Sequence, residues 1–172
     1  VYRWGVIQEG SQATWDVMWE RALAETSATQ TDNLYYGMAN SQNSDILLKY
    51  IMLAQDEANV RSQNFMTILQ YISYNPAGTD LVWDWVRSHW EWLVDRFTLN
   101  DRYLGQLVFN ICKYFTTTKK LTEMEAFFIQ YPEAGAGEIY RQQALETVQF
   151  NIRWVQNNAD VILSWLNSQK LS

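Results

Sequence analysis

Cysteine and histidine occur once each in this 172-residue chain, and proline only twice. A single cysteine, Cys112, permits no internal disulfide, so cysteine usage assigns no redox compartment. A zinc hydrolase needs at least three convergent ligands, and the common helical form supplies two of them as His-Glu-x-x-His. With His89 alone, that motif is excluded from these residues. Cations are also scarce: 13 Lys and Arg stand against 19 Asp and Glu, for a net charge of −6, and no basic run occurs. Nucleic acid is thereby excluded as a partner, because such binding rests on neutralising phosphates. No apolar run approaches the roughly 20 residues that cross a bilayer, so no direct membrane insertion is expected. The opening VYRWGVIQEG lacks the regions of a signal peptide. No Asn-x-Ser/Thr acceptor is present, and neither sustained alternation nor an Asn-Gly or Asp-Gly hairpin signal marks a strand.

What the chain has is aromatic bulk: nine tryptophans, ten tyrosines and seven phenylalanines in a sequence that is 48% hydrophobic. That is ample material for the core of one domain. Four tryptophans fall between Asn75 and Phe97. Asn-Pro-Ala-Gly stops the preceding segment, Thr79 or Asp80 is the candidate cap, and one helix is expected from near Leu81. At 100° per residue, Trp83, Val86, Trp90, Leu93, Val94 and Phe97 share one stripe, with Leu81, Trp85 and Trp92 almost opposite. Two apolar faces require neighbours on both sides, as in stacked helical layers.

The remaining segments follow helical spacing. Val1 to Glu9 reads as the tail of a helix with Tyr2, Trp4 and Val6 inward and Gly10 as its stop, which suggests a piece of something longer. Ser11 to Glu25 carries Trp15, Met18, Trp19 and Leu23. Thr26 to Thr31 reads as a loop. Asp32 to Ala39 and Ser44 to Ala54 are predicted to lie antiparallel across the short link Asn40 to Asn43. Ser62 to Ser73, a segment capped by Asn100 or Asp101, and Leu121 to Gln130 complete the middle. Two helices close the chain, Glu138 to about Asn157 and Ala159 to Leu166, with Asn157-Asn158 as hinge and Val161, Ile162, Trp165 and Leu166 inward. The sum is an all-α fold of about nine helices in stacked antiparallel pairs, and 1–172 reads as a single domain.

No catalytic set emerges from these residues. His89, on the rim of the Trp85 and Trp92 face, is read as packed on indole or half exposed. Cys112, beside Ile111, is read as a buried thiol. Gly135-x-Gly137 lacks the preceding strand and third glycine of a nucleotide loop and reads as a turn feeding a helix. Glu123 and Glu125 lie two residues apart, on different sides of a helix.

Taken in order, Val-Tyr-Arg-Trp-Gly near the start, Trp15, Leu-Tyr-Tyr-Gly-Met-Ala (34–39), Tyr-Ile-Ser-Tyr-Asn-Pro-Ala-Gly (71–78), Trp83 to Trp85, Trp90 to Leu93 and Met-Glu-Ala-Phe-Phe (124–128) resemble one family. So do Tyr131-Pro132, Ala134-Gly135-Ala136-Gly137, Glu146-Thr147-Val148 and Asn151-Ile152-x-Trp154. It is the C-terminal helical domain of M1-family zinc aminopeptidases, and the likeness is closest to the animal aminopeptidase N branch. The resemblance implies a HEAT-like superhelical array that encloses the active-site chamber and helps select peptides. The parent protein would remove N-terminal residues at a zinc held by an upstream catalytic domain, which is this domain's implied partner. No cofactor is expected in this fragment. The implied location is the extracellular face of the plasma membrane or the secretory pathway. In antigen-trimming relatives, the segment matching Tyr36 to Asn43 gives an aromatic and a basic residue that receive a peptide's C-terminus. Tyr36 keeps the aromatic, whereas Asn40 stands at the basic position. Read from the residues alone, Tyr36 packs in the core and Asn40 closes a turn. An independent helical-repeat scaffold binding peptides or proteins is the alternative to an aminopeptidase domain.

Overall fold

A computed structural model describes residues 2–169, which form ten α-helices, one 3₁₀ turn and no strand. The all-α expectation therefore holds for the described residues. The chain divides into two units between Asp95 and Arg96.

The first unit begins with α1 (Tyr2–Glu9), α2 (Gln12–Ala24) and α3 (Ala28–Met38). Ser11 caps α2 by accepting from the Thr14 N–H at 3.2 Å, which removes one of the free donors of a first turn. Val6 is buried on α1, but Trp4 is exposed, contrary to the inward placement read from spacing. Leu23 is likewise exposed and Ala22 takes the inward position. Helix α3 starts about one turn earlier than the sequence suggests. The polar stretch read as a loop supplies its first turn, where the Thr31 hydroxyl donates to the Ser27 carbonyl at 3.0 Å. Trp15 and Trp19 stack at 5.7 Å, and Tyr50 meets both edge-on from α4 (Ser44–Ala54). The Trp15 indole N–H donates to the Met38 carbonyl, so this aromatic cluster also fixes the end of α3.

Helix α5 (Ser62–Ser73) leads into α6 (Pro76–Ser88) and α7 (Trp90–Phe97). The tryptophan segment is thus two helices, not one. The backbone departs from helical geometry at His89, with φ −117° and ψ 18°. Its start also differs, because Asn75 rather than Thr79 or Asp80 is the cap and Pro76 occupies the first turn. Proline suits that position, where its missing N–H had no helical partner to lose. Both faces of α6 are covered as expected: Trp83 and Val86 on one, Trp85 on the other, are all buried. Phe65 of α5 meets Trp85 and Trp92, each at 5.8 Å. Although the link between α3 and α4 is short, α3 packs chiefly on α1 and α2, and α4 on α5 and α6.

Asn75 joins these elements. Its Oδ1 accepts from the Ala77 N–H at 3.1 Å, while Nδ2 donates to the carbonyls of Ala39 (3.0 Å) and Ser41 (2.6 Å) in the turn between α3 and α4. The residue is 3% exposed, so water does not replace those bonds.

The second unit contains α8 (Arg102–Cys112), α9 (Thr118–Gln130), the 3₁₀ turn Gly135–Gly137 and α10 (Glu138–Gln169). Asp101 caps α8 through the N–H groups of Tyr103 and Leu104, as the sequence allows. Thr117 caps α9, which begins a turn before Leu121. Gly105 lets α8 meet the glycine turn: a Cβ there would lie 2.8 Å from the Ala136 carbonyl carbon. Gly135 has φ +51°, a left-handed conformation open to glycine without strain. The expected hinge at Asn157-Asn158 is absent, and α10 runs unbroken for 32 residues. The Asn158 side chain donates to the Trp154 carbonyl one turn back, within the helix, instead of turning the chain. Val161, Ile162, Trp165 and Leu166, expected inward, are exposed.

Replacing Asn75 with Ala removes the cap and strands two buried carbonyls, which should cost about 2–4 kcal/mol. Asn75→Asp keeps the cap acceptor but turns a carboxylate oxygen toward both buried carbonyls, and it should be at least as destabilising as Ala. Urea unfolding of the three proteins measures the order.

Candidate functional site

Asp32 and Tyr36 stand one turn apart on α3, and Asn40 follows at the same four-residue interval in the turn just beyond its end. Asn40 is buried, at 7% exposure, and its Nδ2 donates to the Tyr36 carbonyl at 2.6 Å. That carbonyl belongs to the last turn, whose acceptors lack helical donors, so the amide closes the helix end. Asn40 does close a turn, as the residues alone suggest. Tyr36 is not in the core but 37% exposed, and its ring meets that of Tyr71 edge-on at 5.2 Å.

Tyr71 comes from α5, and its hydroxyl donates to Asp32, lying 3.0 and 2.9 Å from the two carboxylate oxygens. Partial burial, and then the hydrogen bond to Asp32, push the Tyr71 hydroxyl up to about 12. A carboxylate has room for about four hydrogen bonds, so Asp32 retains acceptor capacity toward solvent. Beside it lies a cavity of about 400 Å3 between the end of α2 and the starts of α3 and α5, lined in part by Glu25, Thr31, Asp32, Tyr35 and Arg61. Glu25 Oε1 accepts from the N–H groups of Thr26 and Ser27 and so shapes the wall. Burial pushes the Tyr35 hydroxyl up, with the nearby Arg61 charge acting the other way.

The family resemblance pointed to Tyr36 and Asn40, and nothing in it or in the apolar spacing pointed to Asp32 and Tyr71. The pair is 39 positions apart in sequence. Only the i, i+4 spacing of Asp32 and Tyr36 was there to be noticed.

The other singled-out residues are structural. His89 stacks on Trp85 at 4.4 Å, and its Nδ1 lies 2.9 Å from the Trp85 carbonyl. Cys112 is fully buried. Glu123 lies 3.2 Å from Lys120, and Glu125 is exposed on another side. Gly135 and Gly137 form the turn that feeds α10. Among the described residues, no three His, Cys, Asp or Glu side chains converge as a metal ion requires. The residues present therefore do not fit a zinc ion. No helix among them is long and apolar enough to cross a membrane.

The ERAP1-like C-terminal domain model matches residues 1–150. The chain belongs to that family. It is 42% identical to aminopeptidase A of Gloydius brevicauda over 99% of its own length and 18% of the relative's. Glutamyl aminopeptidase of Sus scrofa is also 42% identical, over 96% of this chain and 17% of that protein. Human endoplasmic reticulum aminopeptidase 1 is 30% identical, over 96% and 18%. The chain thus spans less than a fifth of the curated relatives it matches. These names support the M1 aminopeptidase resemblance, but none is an aminopeptidase N, so that branch gains no support from them.

A phenol whose ionisation is raised in the folded chain stabilises it fully below the unfolded value of 10, and that contribution is lost as pH rises through about 12. Tyr50 shifts in the same direction, through burial. Tyr71→Phe should therefore lower the neutral-pH urea midpoint and flatten part, not all, of its fall across that alkaline window.

Proposed function

We propose that this chain is the non-catalytic C-terminal helical domain of a zinc-dependent M1 aminopeptidase. It encloses the active-site chamber and helps select peptides, while the parent enzyme removes N-terminal amino acids. The observation that carries this reading is the match of nearly the whole chain to less than a fifth of each of several proteins named aminopeptidase. Zinc would act in the parent as a Lewis acid on an upstream domain. The helices here would form a HEAT-like wall, and its contribution would be exclusion of water and discrimination by length. In this reading Tyr36 touches the peptide, and Asn40 holds the helix end that presents it. The parent would work at the extracellular face of the plasma membrane or within the secretory pathway.

The upstream catalytic domain is the proposed partner, and α10 supplies a face for it. Val161, Ile162, Trp165 and Leu166 recur at intervals of three and four and are 69%, 40%, 61% and 45% exposed. An apolar stripe of that kind marks a contact surface.

Co-expression of this chain with the catalytic domain encoded upstream tests the partnership. We expect the two to co-purify, and Ile162→Asp with Trp165→Asp to abolish capture without lowering the thermal midpoint of the chain. An upstream reading frame lacking His-Glu-x-x-His would sink the aminopeptidase reading and leave the scaffold.

A further inference from the structure

We propose that the lip formed by Asp32, Tyr36 and Tyr71 receives a cationic side chain, arginine or lysine, of a bound peptide. The inference rests on Tyr36 being a peptide contact and goes further by giving that contact a charge preference. Asp32 and Tyr36 are one turn apart on α3, so a carboxylate and an aromatic face lie side by side. Tyr71 closes the lip from α5: its ring meets Tyr36 at 5.2 Å and its hydroxyl holds Asp32 from 2.9 Å. A guanidinium or ammonium laid on the Tyr36 ring can reach the remaining acceptor positions of Asp32, joining a cation–π contact to a charge-assisted hydrogen bond.

The surroundings carry the same sign. In the adjoining cavity the carboxylates of Glu25 and Asp32 outnumber the single guanidinium of Arg61, and the whole chain has a net charge of −6. A peptide carboxylate would meet the like charge of Asp32 at this lip. The Asn40 amide is buried and donates to the Tyr36 carbonyl.

Short peptides blocked at both ends and differing only in a central Arg, norleucine or Glu distinguish the outcomes, with an Arg-free peptide bearing a free C-terminal carboxylate as a fourth probe. Two-dimensional NMR of the chain reads the shifts of the Tyr36 and Tyr71 rings. The Arg peptide should move both rings and bind about three- to tenfold more tightly than the norleucine peptide, the range expected for exposed cation–π and ion-pair contacts. Asp32→Asn should erase that preference, whereas Tyr71→Phe, which keeps the ring and the carboxylate, should retain it. Equal or tighter binding of the Glu or free-carboxylate peptide with Tyr36 still shifting would overturn the charge preference and leave the peptide contact standing. Absence of ring shifts with every peptide would overturn both.

Discussion

One buried amide sets how the first unit is assembled. Helix ends leave carbonyls without partners, and a turn drawn into the interior cannot give them to water. Asn75 solves this at the junction of α5 and α6, because one side chain caps the helix behind it and donates to two carbonyls of a turn more than thirty positions away. The second unit contains the same device. Asn151, on α10, donates through Nδ2 to the carbonyls of Lys113 and Phe115, at 2.9 and 3.1 Å, in the turn between α8 and α9. In both cases an asparagine amide holds the carbonyls of a turn, at Asn75 where packing has excluded water and at Asn151 where the site is half-buried. Arg141 does related work, donating to the carbonyls of Tyr131 and Glu133 in the segment before its own helix.

Around these polar joints, aromatic residues supply the bulk. Trp15, Trp19 and Tyr50 bind α2 to α4, and Phe65, Trp85 and Trp92 bind α5 to the tryptophan segment. Each fully buried ring removes some 150–250 Å2 from water, at about 25 cal/mol per Å2. Surface pairs such as Lys49 with Asp16, at 2.8 Å but about 40% exposed on each side, add little by comparison. Apolar area therefore holds the first unit together internally, and hydrogen bonds decide which turn meets which helix end.

The sequence was most legible where spacing alone carries the information. Helices α4, α5 and α8 and the covered faces of α6 followed directly from the three- and four-residue recurrence of apolar side chains. Starts were read less well, because threonine and serine favour both loops and first turns; hence α3 and α9 begin earlier than expected. Asn75 looked like punctuation because Asn-Pro is a turn signal, and the same asparagine is a good cap with proline after it. Asn157-Asn158 misled for the opposite reason: an asparagine can bond back within a helix when nothing draws the chain aside. Periodicity locates a stripe but not its cover, which is why the apolar residues near the end of α10 were assigned to a core. The Asp32–Tyr71 bond joins two helices and leaves no local trace.

The unbroken course of α10 has a geometric consequence. At 1.5 Å per residue its 32 residues extend about 48 Å, and the last buried one is Ile152. From there onward the helix behaves as a stiff spindle, so the compass bearing of its far end is dictated by residues well before it. A single-residue insertion between Ile152 and Val161 would swing Trp165 and its neighbours by about 100°, to another quadrant.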